Sequence, residues 1–442
     1  MRKSVLMVLL VLLHILNVEA DGQDSMAACS VRMRGWAYVD DIHYPRIIQP
    51  VDTFVVNDET FVRYIHGGDR AGCKRLTLLF NPNVTTFVRD AEYFLPYTKG
   101  YSALGFFLKP TFTYIHDERL SASVGLHLLG IAGDHKRLRE VSPIVRIEYR
   151  PVKGIRIVGG TLSDERIGHG LLYQPMYDYD RLFYANKEDG LQVFAYTKHW
   201  QSEMWCNWED FIVVDSPWQE KFTFGWVNTI ATSFKPDNHK DVRHWIGIPI
   251  HLMMNHRGGQ IDAVQDTCIE TLANVATGLI YSINTPKSGS FRVDLPVFGF
   301  SNRSDEHHIH THFKKGWGFY PQLKYHKCWS SARVLAKGEI DYTVSEKRRL
   351  LDANIGYWYG DGFISGRGSY LFQSRSYFDD SFERRYRHML TAEVAYDLND
   401  VMFFRLQAYY DLDESSVDYA ATFALRFDRS FKVHSWVKEK KE

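Results

Sequence analysis

The chain reads as an all-β protein, a transmembrane antiparallel up-and-down β-barrel of about 16 strands, within a range of roughly 14 to 18. Three observations predict this. Segments of about ten residues alternate strictly between large apolar and polar side chains, the pattern of strands between lipid and water. Past residue 20 no apolar run approaches the roughly 20 residues that a spanning helix needs. Aromatics make up 15% of the 442 residues, with 26 Tyr and 11 Trp, which fits the interfacial girdles of a barrel.

The N-terminus reads as a cleavable signal peptide over residues 1–20. Arg2 and Lys3 precede the apolar run Val5 to Leu16, too short to span, and Val18-Glu19-Ala20 offers a cleavage site. Residues 21–58 mix charges and prolines without a sustained period and read as a periplasmic arm or a plug. The barrel is expected over 59–428. Early strands include LSASVGLHLLG and IVRIEYRP, where Val145, Ile147 and Tyr149 oppose Arg146, Glu148 and Arg150. A Pro151-to-Gly154 turn leads to Ile155, Arg156 and Ile157. GLQVFAYTKHW, KFTFGWVNTIATSF, HWIGIPIHLMMN, NVATGLIYSIN, SFRVDLPVFGF, GWGFYPQLKYH and ARVLAKGEIDYT follow.

The final hairpin is the clearest. Met402, Phe404, Leu406 and Tyr410 oppose Arg405, Gln407 and Asp411; then Tyr419, Phe423, Leu425 and Phe427 oppose Asp418, Thr422 and Arg426. It reads as the seam that closes on the first strand. Residues 429–442 form a charged tail ending in VKEKKE. Short connections such as Asn399-Asp400 alternate with long ones such as Ser163 to Asp189, the asymmetry of outer-membrane barrels. A soluble β-sandwich is the rival fold, since alternation alone also suits a dry core.

Formal net charge is +0, from 53 basic and 53 acidic residues, so no overall field attracts nucleic acid. Cys29, Cys73, Cys206, Cys268 and Cys328 are scattered without metal-ligand spacing. Asn83 and Asn302 head glycosylation sequons that an exported bacterial protein leaves unused.

The last strand resembles the terminal recognition signal of outer-membrane barrels, with Tyr419, Phe423 and Phe427 as its aromatics, although the chain continues beyond it. Phe94 to Tyr114, His169 to Phe183, and Asn207 to Gly225 resemble an outer-membrane β-barrel (porin-like) family of Bacteroidota with no assigned activity. That resemblance implies fold and location only: the outer membrane of a Gram-negative bacterium.

The inward charges are the functional candidates. Arg146, Glu148, Arg150, Arg156, Lys337, Glu339, Asp341, Arg405, Gln407, Asp418 and Arg426 are the expected pore-lining residues. Their mixed signs favour mutual pairing over ion selectivity. The long segment with Tyr173, Tyr177, Phe183 and Tyr184 among Asp178, Asp180 and Arg181 is a candidate lumen constriction. In DEHHIHTHF, His308, His310 and His312 would share one strand face, a candidate divalent-metal site whose alternative is a solvated outer loop. Ser163 and His169 lie near each other, but no GxSxG nucleophile motif occurs, so no enzyme activity and no cofactor are expected. The expected function is a porin-like barrel passing small polar solutes. Its alternative is a non-conducting scaffold or accessory subunit for assembly, secretion or surface attachment. Expected partners are outer-membrane lipid, an unspecified solute, and either further copies of the chain or accessory proteins.

Overall fold

A strand whose alternate side chains are apolar can bury one face only if something apolar covers it, and here that cover lies outside a closed wall. The computed structural model describes residues 50–56, 59–64, 76–94, 99–117, 119–152, 154–162, 172–178, 180–197, 199–234, 242–258, 269–285, 289–304, 314–331, 347–362, 368–373, 386–398, 401–427 and 431–436. Around the barrel the strands are β1 (Thr77–Asn81 and Val84–Glu92), β2 (Tyr101–Leu108 and Thr111–Ile115), β3 (Leu120–Ile131) and β4 (Glu140–Tyr149). Next come β5 (Ile155–Thr161), β6 (Asp189–Tyr196), β7 (Trp200–Asp210), β8 (Lys221–Phe234), β9 (Arg243–Arg257) and β10 (Glu270–Thr285). The circuit ends with β11 (Gly289–Ser304), β12 (Lys315–Phe319 and Gln322–Ser331), β13 (Lys347–Gly360), β14 (Arg387–Asp397), β15 (Met402–Asp411) and β16 (Ser416–Phe427 and Phe431–Ser435).

Each strand pairs antiparallel with its chain neighbours, and β16 closes on β1 through Phe427↔Val84 and Phe431↔Phe80. The result is an up-and-down barrel of 16 strands, as the sequence predicts. Three of the four interrupted strands break beside a proline: Pro82 in β1, Pro110 in β2 and Pro321 in β12. Proline has no N–H to give the ladder. A separate hairpin, Pro50–Val56 with Glu59–Tyr64, pairs only with itself among the described residues. The wall therefore begins at Thr77, not Glu59, and Phe431–Ser435, expected as tail, is part of it. The predicted strand from Ala332 to Thr343 lies outside the described residues.

Strand β11 shows how the faces divide. Phe291, Val293, Leu295 and Val297 are exposed on the outside, whereas Ser290, Arg292, Asp294, Phe298 and Phe300 are buried within. The same holds round the circuit, from Val88 and Leu104 through Ile246, Ile248 and Ile250 to Tyr419 and Phe423. An apolar band of that extent far exceeds the few hundred Å² a soluble monomer leaves open to water; its solvent is lipid. Among the described residues no soluble sandwich core occurs.

Glycines set against inward tryptophans leave room for the indole rings. Gly225 on β8 pairs with Trp205 on β7, and a Cβ built there would lie 2.0 Å from the indole. Gly225→Val is expected to destabilise the barrel by about 1–3 kcal/mol through overpacking. The urea midpoint of folded protein in micelles measures it, and a midpoint equal to the wild type's would refute the steric account.

Candidate functional site

The interior is packed by two stretches of the long loops that bend inward. The first, residues 172–184, carries a one-turn 3-10 helix (Gln174–Met176), led by Pro175 inside its first turn, and a short α-helix, Arg181–Tyr184. Its contacts reach opposite walls. Tyr173 stacks on His251 of β9, with ring centroids 5.1 Å apart, and meets Phe298 of β11 edge-on at 5.7 Å. The Gln174 amide donates to the Tyr409 hydroxyl on β15. Phe183 packs on Phe87 of β1 at 4.9 Å. A segment touching β1, β9, β11 and β15 crosses the lumen. The second stretch, Tyr370–Phe372, lies beside it, with the Phe372 ring 5.3 Å from Trp358 and 5.2 Å from Tyr320. Tyr173, Met176, Tyr177, Met253, Phe298, Tyr320, Trp358, Leu371, Phe372 and Tyr409 form one buried apolar cluster. The candidate constriction thus folds into the barrel and reaches opposite walls.

Ion pairs tie the infolded stretches to the wall. Arg89 on β1, only 1% exposed, gives Nη2 to Asp180 Oδ1 at 2.5 Å and Nη1 to Gln407 at 3.0 Å and Thr422 at 2.9 Å. The Tyr93 hydroxyl donates to the other Asp180 oxygen at 3.0 Å. Arg387 on β14 donates to Asp411 at 2.6 Å and to the Leu371 carbonyl, anchoring the second stretch. Sequence alternation marks the inward positions of Arg89 and Arg387, yet nothing local shows that loop residues 180 and 371 would meet them.

The expected pore-lining residues that are described face inward, and several are engaged with other side chains or with the backbone. Glu148 pairs with Arg150 and, at 3.6 Å, with Arg156, whose guanidinium lies 4.0 Å above the Phe194 ring. Arg146 donates to the Thr161 carbonyl at 2.8 Å and to that of Leu162, where the long loop leaves β5. Arg405 pairs with Glu393, and Gln407 donates to Glu393 and Tyr409, both at 3.0 Å. Asp418, 1% exposed, accepts from the Phe94 backbone N–H at 2.7 Å. Arg426 is half-buried on the inner face near the short-turn end. Lys337, Glu339 and Asp341, and the candidate metal ligands His308, His310 and His312, lie outside the described residues. Among those described, no group of three metal-ligating side chains occurs.

A second charged group lies nearer the short-turn end. Arg292 and Lys324, a cross-strand pair of β11 and β12, both hold the fully buried Asp294, Lys324 at 2.9 Å. One rung further along, His326 gives Nδ1 to Asp352 Oδ1 at 2.6 Å. A side-chain-by-side-chain reading of the sequence misses both groups, because Lys324 and Asp294, and His326 and Asp352, sit on different strands.

The infolded segment also carries a titration. Burial, and then the neighbouring Asp180 carboxylate, push Asp178 up from 3.8 to about 7. A raised carboxyl pKa means that the docked segment binds the proton more tightly than the free one. The contribution of Asp178 to docking is therefore fully present below about pH 4 and is lost as pH rises through about 7. Limited proteolysis of the folded barrel is expected to cut within 172–184 faster at pH 8 than at pH 5. Asp178→Asn should flatten that dependence; an unchanged slope would remove Asp178 as the cause.

Fold and interior together define an outer-membrane β-barrel with two loop stretches folded into its lumen. The chain belongs to the Lipid A 3'-O-deacylase-type family, whose model matches residues 72–334 and 340–436. No curated protein matches it. Among solved structures it is similar to the outer membrane protein OprD from Pseudomonas aeruginosa, at 7% identity and TM-score 0.43, over 84% of this chain and 98% of that one. It is also similar to OccK2 (OpdF) from Pseudomonas aeruginosa in complex with glucuronate, at 8% identity and TM-score 0.42, over 82% and 100%. A third is the loop L8 deletion mutant of OmpT from Vibrio cholerae, at 10% identity and TM-score 0.41, over 79% and 99%. Likenesses at these values carry no argument about function.

Proposed function

We propose that the barrel works closed, as an outer-membrane acyl-ester hydrolase of the kind its family is named for. The observation that carries the first half is the segment 172–184, which spans the lumen from β1 to β9 and β11. A solute path would have to pass the buried aromatic cluster around it. The family match over residues 72–334 and 340–436 supports the second half and supplies lipid A as the substrate to test. This departs from the porin expected of the sequence. Mass spectrometry of lipid A from cells expressing the protein is the experiment: loss of one ester-linked acyl chain, absent from empty-vector cells, is the expected result. Unchanged lipid A would rule out that substrate.

Passage of small polar solutes is the second reading. Paired but water-accessible charges at the two ends of the lumen favour it, Asp189 at 49% and Asp352 at 33% side-chain exposure. It requires the infolded segment to leave. Cleaved export through residues 1–20 accompanies either reading.

A further inference from the structure

We propose that the open face of the two infolded stretches is a binding floor for a neutral saccharide ring, built from Asp178, Arg181, Tyr184 and Tyr370. Both stretches are two-faced. Met176, Tyr177, Phe183, Leu371 and Phe372 are buried in apolar clusters with the wall. Tyr184 and Tyr370, in contrast, are 40% and 44% exposed, and Asp178 and Arg181 beside Tyr184 are half-buried. Both stretches belong to long connections, which lie on the outer side of such barrels. Tyr184 precedes the return to the outer end of β6 by only a few residues. The floor therefore belongs to the extracellular mouth.

One carboxylate organises it. The Tyr184 hydroxyl donates to Asp178 Oδ2 at 3.3 Å, and the Asp180 backbone N–H donates to Asp178 Oδ1 at 3.2 Å. Burial, and next the Asp178 carboxylate, raise the phenols of both Tyr184 and Tyr370, so each infolded stretch brings one tyrosine hydroxyl toward Asp178. The guanidinium carbon of Arg181 lies 6.0 Å from the Tyr184 ring centroid. Arg181 Nε is buried without a hydrogen-bond partner among the described residues. An unmet buried donor is costly, and a ligand hydroxyl relieves it.

A pyranose has two kinds of surface, and the floor matches both. Its C–H faces are apolar and pack on aromatic rings, which tyrosine offers together with a polar tip. Its hydroxyl edge needs acceptors and donors side by side; an ionised carboxylate only accepts and a guanidinium only donates. A few placed polar groups among apolar ones are what fixes a small ligand in a site. Charge selects the neutral sugar. The charged groups acting on Asp178, Tyr184 and Tyr370 are Asp178 itself, Asp180, Glu270 and Arg181, and Arg89 pairs with Asp180. Three carboxyl groups facing two guanidiniums give an anionic sugar no cation of its own.

The floor binds without chemistry, so its test stands whether or not the barrel is a hydrolase. Saturation-transfer-difference NMR is run on the folded full-length barrel in lauryldimethylamine oxide, a detergent with no sugar head group. Maltohexaose and cellohexaose are the neutral probes and hexagalacturonate the anionic one. Irradiating the protein's aromatic protons should saturate the ring C–H protons of a neutral hexaose, with weaker binding of hexagalacturonate. Tyr184→Ala with Tyr370→Ala should weaken binding by about tenfold. Both side chains are exposed, so the urea midpoint should stay at the wild-type value. Tyr184→Phe keeps the ring and should keep the C–H saturation. Arg181→Met should weaken binding by about tenfold or more, and it decides the matter alone if the alanine pair lowers the midpoint. No saturation of either neutral hexaose overturns the floor. Equal binding by wild type, the alanine pair and Arg181→Met places the sugar elsewhere and overturns it too. Tighter binding of hexagalacturonate than of both neutral probes overturns the neutral assignment.

Discussion

Replacing Tyr173, Met176 and Tyr177 together by serine is expected to turn a silent barrel into a conducting one. All three side chains are buried in the aromatic cluster inside the barrel. Removing each large buried side chain leaves a cavity and costs about 2–5 kcal/mol, more in sum than a short infolded segment with two helical turns can retain. The wall itself is held by strand pairing around a closed circuit, so the segment should leave while the barrel persists. In planar bilayers the wild type should give no conductance steps and the triple variant regular ones. Equal conductance from both would mean that solutes already pass the segment.

Asp180→Ala should release the same segment by an electrostatic route. Arg89 is almost wholly buried, and the Asp180 carboxylate meets its guanidinium. Taking away one member of a buried pair leaves an uncompensated charge, a cost of about 3–5 kcal/mol. The contacts of Arg89 to Gln407 and Thr422 remain, but neither carries charge. Adding Arg89→Met should restore most of the loss, since a buried pair exchanged for apolar groups is often neutral. Urea midpoints of the single and double variants measure both effects. If the double variant is no more stable than Asp180→Ala alone, the penalty is not one of unpaired charge.

Much of the architecture was legible along the chain because a strand writes its two faces as alternation. Ser416–Phe427 and Met402–Asp411 declare lipid and lumen sides in this way, and Ser416–Phe427 does form the seam with the first strand. The inward direction of Glu148, Arg156, Gln407 and Asp418 follows from the same period of two. Boundaries were less legible. Glu59–Tyr64 alternates as a wall strand would, but pairs with Pro50–Val56 instead, because alternation states a face and not a partner.

What fills the lumen, and which charges meet, lay beyond the sequence for the same reason. Asp180 and Arg89 are separated by 91 positions, and Arg89 and Gln407 by 318; nothing local encodes those distances. Lys324 and Asp294, and His326 and Asp352, likewise become neighbours only through the registers of strand pairs. The period of side-chain burial, set by backbone geometry alone, determined the class of fold and its membrane-facing surface. The order of strands around the ring, their registers and the inward turn of two loops are long-range choices of packing, and those decided the plug, the ion pairs and the candidate site.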